Sequence, residues 1–146
     1  MLVSRTLAAL LLVALPLACG DSPTEFDRDV GLVRVRLGTL EQTVRVLPPN
    51  PAYDDTVAIV SEVVNRGILS TLVTYRMCGL DVDTELELPW PGFMCLAYSA
   101  TDRIQPQDTI PGYHLGVIKS PPGQYTLRVR HLLKPELWVD VSIIVE

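Results

Sequence analysis

From Val30 to Glu146 the apolar residues of this chain recur at every second position, and that period decides which folds are open to it. A β-strand points successive side chains to opposite faces, so alternating apolar and polar residues mark a sheet with one buried face. Val139, Val141, Ile143 and Val145 form the clearest run, opposite Trp138, Asp140 and Ser142. Val33, Val35 and Leu37 alternate with Arg34 and Arg36, and Val44 and Val46 flank Arg45. The three arginines read as a solvated sheet face rather than a binding stripe. No segment of this region carries apolar residues at i, i+3, i+4 and i+7 between helix caps, so a helical bundle is excluded.

Turn signals cut the alternating region into short pieces. Pro48-Pro49-Asn50-Pro51 stops the first pair of strands, because proline donates no ladder hydrogen bond. Residues 56–64 (TVAIVSEVV) are β-branched and apolar on both parities, which predicts a central strand covered on both sides for part of its length, ended by Asn65-Arg66-Gly67. Residues 69–77, 83–88 and 93–98 follow as strands, and Pro135-Glu136 makes the last turn. Strands at this spacing predict an all-β antiparallel sandwich of about seven to nine strands.

Pro121-Pro122-Gly123-Gln124-Tyr125-Thr126-Leu127-Arg128-Val129 is a turn leading into a strand with Tyr125, Leu127 and Val129 inward. It resembles strand F of immunoglobulin-like and fibronectin type III-like sandwiches, where a tyrosine hydroxyl hydrogen-bonds the preceding backbone. The resemblance implies an immunoglobulin-like domain over residues 30–146. Asn65-Arg66-Gly67, Cys78-Gly79 and Ile104-Gln105-Pro106-Gln107-Asp108 are also similar to small bacterial extracytoplasmic domains related to the proteinase-inhibitor BsuPI fold.

The N-terminus follows different rules. Arg5 precedes an unbroken apolar run over residues 7–18 (LAALLLVALPLA) that ends at Cys19. The run is shorter than the roughly 20 residues of a spanning helix and leaves through small residues, which is the layout of a secretory signal peptide over residues 1–18. Leu15-Pro16-Leu17-Ala18-Cys19 resembles a bacterial lipobox, which implies cleavage before Cys19, acylation of that cysteine and insertion of its lipid into a bilayer. The alternative is an ordinary secretory leader cut near Ala18. Gly20 stands where an inner-membrane retention signal would have Asp, which favours the outer membrane, facing the periplasm. Residues 19–29 are then the lipidated cysteine and a short polar tether.

Export also accounts for the cysteines. Three is an odd number, and lipidation of Cys19 leaves Cys78 and Cys95 as a pair in an oxidising compartment, where a disulfide is expected. Two buried thiols are the alternative. His114 and His131 lack the short paired spacings of a structural zinc site.

Candidate chemistry is sparse. With 12 Lys+Arg against 17 Asp+Glu and a formal net charge of -5, the chain has no basic surface for nucleic acid. No Gly-x-Ser-x-Gly elbow, His-Glu-x-x-His helix or phosphate-cradling glycine loop occurs. Asp81, Asp83 and Glu85, with Asp54 and Asp55, could offer oxygen ligands to calcium but lack the loop signature, so they read as an acidic face. His131 ends an inward run and reads as a rim or core histidine. Trp90, Phe93 and Trp138 are expected to pack in the core at the sandwich ends, the alternative being an exposed recognition patch. The sequence thus points to a non-enzymatic lipoprotein of the cell envelope, without cofactor, catalytic residues or metal ligands, that meets an envelope protein partner. The alternative is a periplasmic protease inhibitor acting through a loop at residues 102–111 or 88–93.

Overall fold

The computed structural model describes residues 24–77, 79–89 and 98–146. These residues form an antiparallel β-sandwich with no helix. In chain order its strands are β1 (Thr24–Asp29), β2 (Leu32–Leu37), β3 (Leu40–Leu47), β4 (Thr56–Asn65), β5 (Thr71–Arg76), β6 (Asp81–Thr84), β7 (Ser99–Ile104), β8 (Thr109–Val117), β9 (Gly123–Lys134) and β10 (Glu136–Val145). One sheet has the order β1-β2-β3-β4-β8, and the other β10-β9-β5-β7, with β6 also pairing β9.

The core lies between the sheets and is built by the inward parities. Val33, Val44, Val57, Ile59 and Val63 from the first sheet meet Leu127, Val129, Val141 and Ile143 from the second, all wholly buried. Arg45 and Asp140 point outward, as alternation requires. Turns stop the strands where the backbone demands it. Gly31, between β1 and β2, has φ 69° and receives the close approach of Pro49, leaving no room for a side chain. The Tyr125 hydroxyl donates to Pro121 O at 2.9 Å, closing the corner expected at the start of β9.

Several expectations need correction. Residues 24–29, read as tether, pair in register with β2 from Thr24↔Arg36 to Asp29↔Leu32. An edge strand needs ladder bonds on one side only and tolerates charged residues, so it carries little apolar signal. With β1 included, the described residues contain ten strands rather than seven to nine. The strand expected over residues 83–88 is instead β6, Asp81–Thr84. Thr84 Oγ1 donates to Thr126 O and accepts from Leu86 N, turning the chain so that Leu86 enters the core. β4 lies between β3 and β8 as a central strand; its inner face is buried, and on the other Ala58, Val60 and Val64 are half-buried while Thr56 and Glu62 are exposed. Trp138 is half-buried on the outer face of β10 rather than in the core.

Candidate functional site

Two groups of polar side chains stand out, one between the sheets and one on the outer face. The interior group arises where polar residues occupy the apolar parity of their strands. Gln42 on β3, Ser61 on β4 and His131 on β9 are each buried among valines and leucines. Gln42 Nε2 donates to Ser61 Oγ at 3.1 Å, and Ser61 Oγ lies 3.1 Å from His131 Nδ1. Tyr75 presents an edge-on ring to the imidazole at 6.1 Å, while its own hydroxyl donates to Asp102 at 2.8 Å. Among the described residues Gln42 Oε1 and His131 Nε2 have no partner.

A hydroxyl beside an imidazole is the start of a nucleophile and base. Here the third member is an amide, which cannot stabilise an imidazolium as a carboxylate does. Burial pushes His131 down to about 4, so the ring is neutral at neutral pH. The backbone at Gly112 closes over it: a Cβ there would lie 2.8 Å from His131 Nε2 and 2.7 Å from Leu80 Cδ2. Ser61 and His131 have no exposed surface for a substrate to reach. This contact joins residues 70 positions apart, and the sequence analysis missed it; the available signal was a polar residue on an apolar parity.

The outer group follows from strand register. Asp81 on β6 and Trp138 on β10 both stand opposite Arg130 on β9. One step along, Asp83 and Asp140 both stand opposite Arg128. Arg130 Nε donates to Asp81 at 2.9 Å and also pairs with Glu136, and Arg76 reaches Asp81 at 3.2 Å. Arg128 lies 3.6 Å from Asp83 and 3.4 Å from Asp140. The Trp138 ring is flanked by Arg130 at 4.7 Å and Arg128 at 5.4 Å. Hydrogen bonding from Asp81, then from Glu136, holds Arg130 more firmly protonated than an isolated guanidinium. Beside this ladder, Asp83, Thr84, Glu85, Gln124, Tyr125, Thr126 and Arg128 line an open groove of about 550 Å³.

Four of the five acidic residues weighed as calcium ligands are drawn to cations or backbone instead. Asp81 and Asp83 face arginines, Asp54 pairs with Lys119, and Asp55 accepts from Ala52 N at 2.8 Å. Among the described residues no group of three or more His, Cys, Asp or Glu is placed to hold a metal. His114 is half-buried beside Val82, Leu86 and Leu88, and burial lowers its pKa.

Residues 102–111, weighed as an inhibitory loop, are mostly the strands β7 and β8. The turn between them is tight: Gln105 N donates to Asp108 Oδ2 at 2.9 Å and Asp108 N to Gln105 O at 3.1 Å. Cys19, Cys78, Cys95, Trp90 and Phe93 lie outside the described residues, as do the signal peptide, residues 90–93 of the other candidate inhibitory loop and all but Tyr98 of the strand expected at 93–98. Among the described residues no helix is long and apolar enough to cross a membrane. Neither models of protein families nor curated proteins yield a match to the chain.

Proposed function

We propose that the protein is a non-enzymatic lipoprotein of the cell envelope, with a β-sandwich that serves as a binding or structural domain at the membrane surface. The apolar run at residues 7–18, closing on Ala18-Cys19 ahead of the sandwich, is the observation that carries this reading. Acylated Cys19 holds the domain on the outer membrane, facing the periplasm and an envelope protein partner. Acyl chains contribute about 0.8 kcal/mol per buried CH₂, so a multiply acylated cysteine anchors stably. The sealed Ser61–His131 contact supports a role other than catalysis, because this nucleophile-and-base arrangement cannot meet a substrate.

Metabolic labelling with a palmitate analogue tests the anchor. The wild type incorporates label and Cys19→Ser does not; equal labelling of both would remove the proposal. The same export route makes Cys78 and Cys95 a disulfide, closing a loop whose chain-entropy contribution is about 3 kcal/mol. Denatured, unreduced protein then exposes no alkylatable thiol, and Cys78→Ser exposes one. Two alkylated thiols in exported wild type would show that the pair stays reduced.

A further inference from the structure

The tether is shorter than the sandwich it holds. β1 begins at Thr24, so only Gly20, Asp21, Ser22 and Pro23 separate it from Cys19, a reach of at most about 18 Å. β4, with 10 residues, is about 33 Å long. An anchor at Cys19 therefore keeps the Thr24 end of the sandwich near the bilayer.

Register identifies what occupies that end. Thr24 stands opposite Arg36, Leu40 opposite Asn65, Thr71 opposite Ile104, and Thr109 opposite Val64. The β2–β3, β4–β5, β7–β8 and β9–β10 turns are consequently gathered there. The β4–β5 turn carries the two most exposed large hydrophobic side chains among the described residues, Ile68 at 92% and Leu69 at 74%, and Leu72 follows at 60%. Exposed aliphatics at adjacent positions of a turn are costly in water, and this turn is rigid rather than free to fold them away. Asn65, wholly buried, donates from Nδ2 to Leu69 O at 2.8 Å and Ile104 O at 3.2 Å, and its Oδ1 accepts from Gly67 N at 2.9 Å. Gln107 N donates to Asn65 O at 2.7 Å, and Arg66 N to Thr39 O at 2.7 Å, so neighbouring turns brace the tip.

Charge is divided along the same axis. Arg36, Arg66, Arg103 and Lys134 are exposed around the tip. Of the acids there, Glu41 is drawn down by Arg66 and Arg36, Asp102 accepts from the Tyr75 hydroxyl, Asp108 accepts from Gln105 N, and Glu136 pairs with Arg130. The opposite end exposes Asp29, Asp54, Asp55, Glu87 and Glu146 against Arg28, Arg45 and Lys119. Aliphatics ringed by cations suit the boundary between acyl chains and anionic headgroups.

We propose that the Ile68–Leu69 tip is a second membrane contact, entering the headgroup region of the bilayer that holds Cys19 while the surrounding arginines and Lys134 face anionic phospholipid. This rests on the lipoprotein reading and adds a defined orientation to it: the acidic end points away from the membrane.

The experiment reconstitutes full, lipidated protein from native membranes into phosphatidylglycerol–phosphatidylcholine vesicles with brominated acyl chains. Leu69→Trp and, at the opposite end, Tyr53→Trp report quenching above the wild-type background. Trp at 69 should lose a large part of its fluorescence and Trp at 53 essentially none. Adding Lys134→Glu to Leu69→Trp should reduce the quenching in these vesicles and leave it unchanged in pure phosphatidylcholine. Floating protein with an unquenched Trp at 69, whether the tip is bare or covered by protein, overturns the second contact and leaves the anchor standing. Equal quenching at 69 and 53 overturns the orientation. Wild type that fails to float with the vesicles removes the anchor and this inference together.

Discussion

The interior trio of Gln42, Ser61 and His131 and the outer ladder of Asp81, Arg130 and Trp138 are both polar clusters that bridge strands, yet their surroundings give them opposite consequences. In the trio, two neutral hydrogen bonds replace water that has been excluded, and His131 Nε2 and Gln42 Oε1 are left without a partner among the described residues. A buried polar atom without a partner costs about 1–3 kcal/mol, comparable to what the neighbouring bonds contribute. On the ladder full charges face one another: water screens the exposed pairs of Arg128, each with a net worth of about 0–1 kcal/mol, while Asp81 and Arg130 are part-buried and hold each other by direct hydrogen bonds. The ladder holds more charge and the interior holds more of the stability at risk.

Acid should separate the two most strongly. His131 titrates at about 4 when folded and near 6.5 when unfolded, so the unfolded chain binds the proton first. Stability is fully present above about pH 6.5 and falls as pH drops towards about 4, by about 3 kcal/mol in all. His114, also shifted down by burial, adds a contribution of the same sign. Urea titrations across this range should show the loss in wild type and a flatter profile in His131→Leu. Glu41, whose carboxyl is held below its ordinary range by Arg66, adds its own loss only at lower pH. A wild-type curve that stays level down to pH 4.5 would mean that the interior accepts a charged ring.

A smaller effect tests how tightly the trio is enclosed. Gly112→Ala places a methyl against Leu80 and His131 Nε2 and should cost about 1–3 kcal/mol by chemical denaturation. At Gly123 the nearest atom to a new Cβ is Tyr125 Cε2 at 3.5 Å, an ordinary contact, so Gly123→Ala is the matched control with little change. Similar costs at both positions would show that the closure over His131 is not special.

The smallest effect belongs to the ladder. Arg128 is about half exposed and lies more than 3 Å from both Asp83 and Asp140. Arg128→Ala should lower stability by at most about 1 kcal/mol, and the difference should shrink in concentrated salt. A salt-independent loss of several kcal/mol would place the ladder with the interior and end the distinction between them.

The amino-acid sequence alone determined the local character of the chain. The alternations Val33-Val35-Leu37 and Val139-Val141-Ile143-Val145 are each a local record of one buried face, and the proline and Asn-Arg-Gly turns act within a few residues. The Tyr125 corner was legible for the same reason, since its hydroxyl and Pro121 are only 4 positions apart. Tertiary structure decided which strands became neighbours. Backbone ladders bond alike whatever the side chains, so no local pattern states that β6 pairs β9 or that β1 joins an edge through charged residues. The choice comes from packing summed over both sheets. That sum set Ser61 beside His131 across the core, placed Trp138 outside between two arginines, and brought four turns together around Ile68 and Leu69.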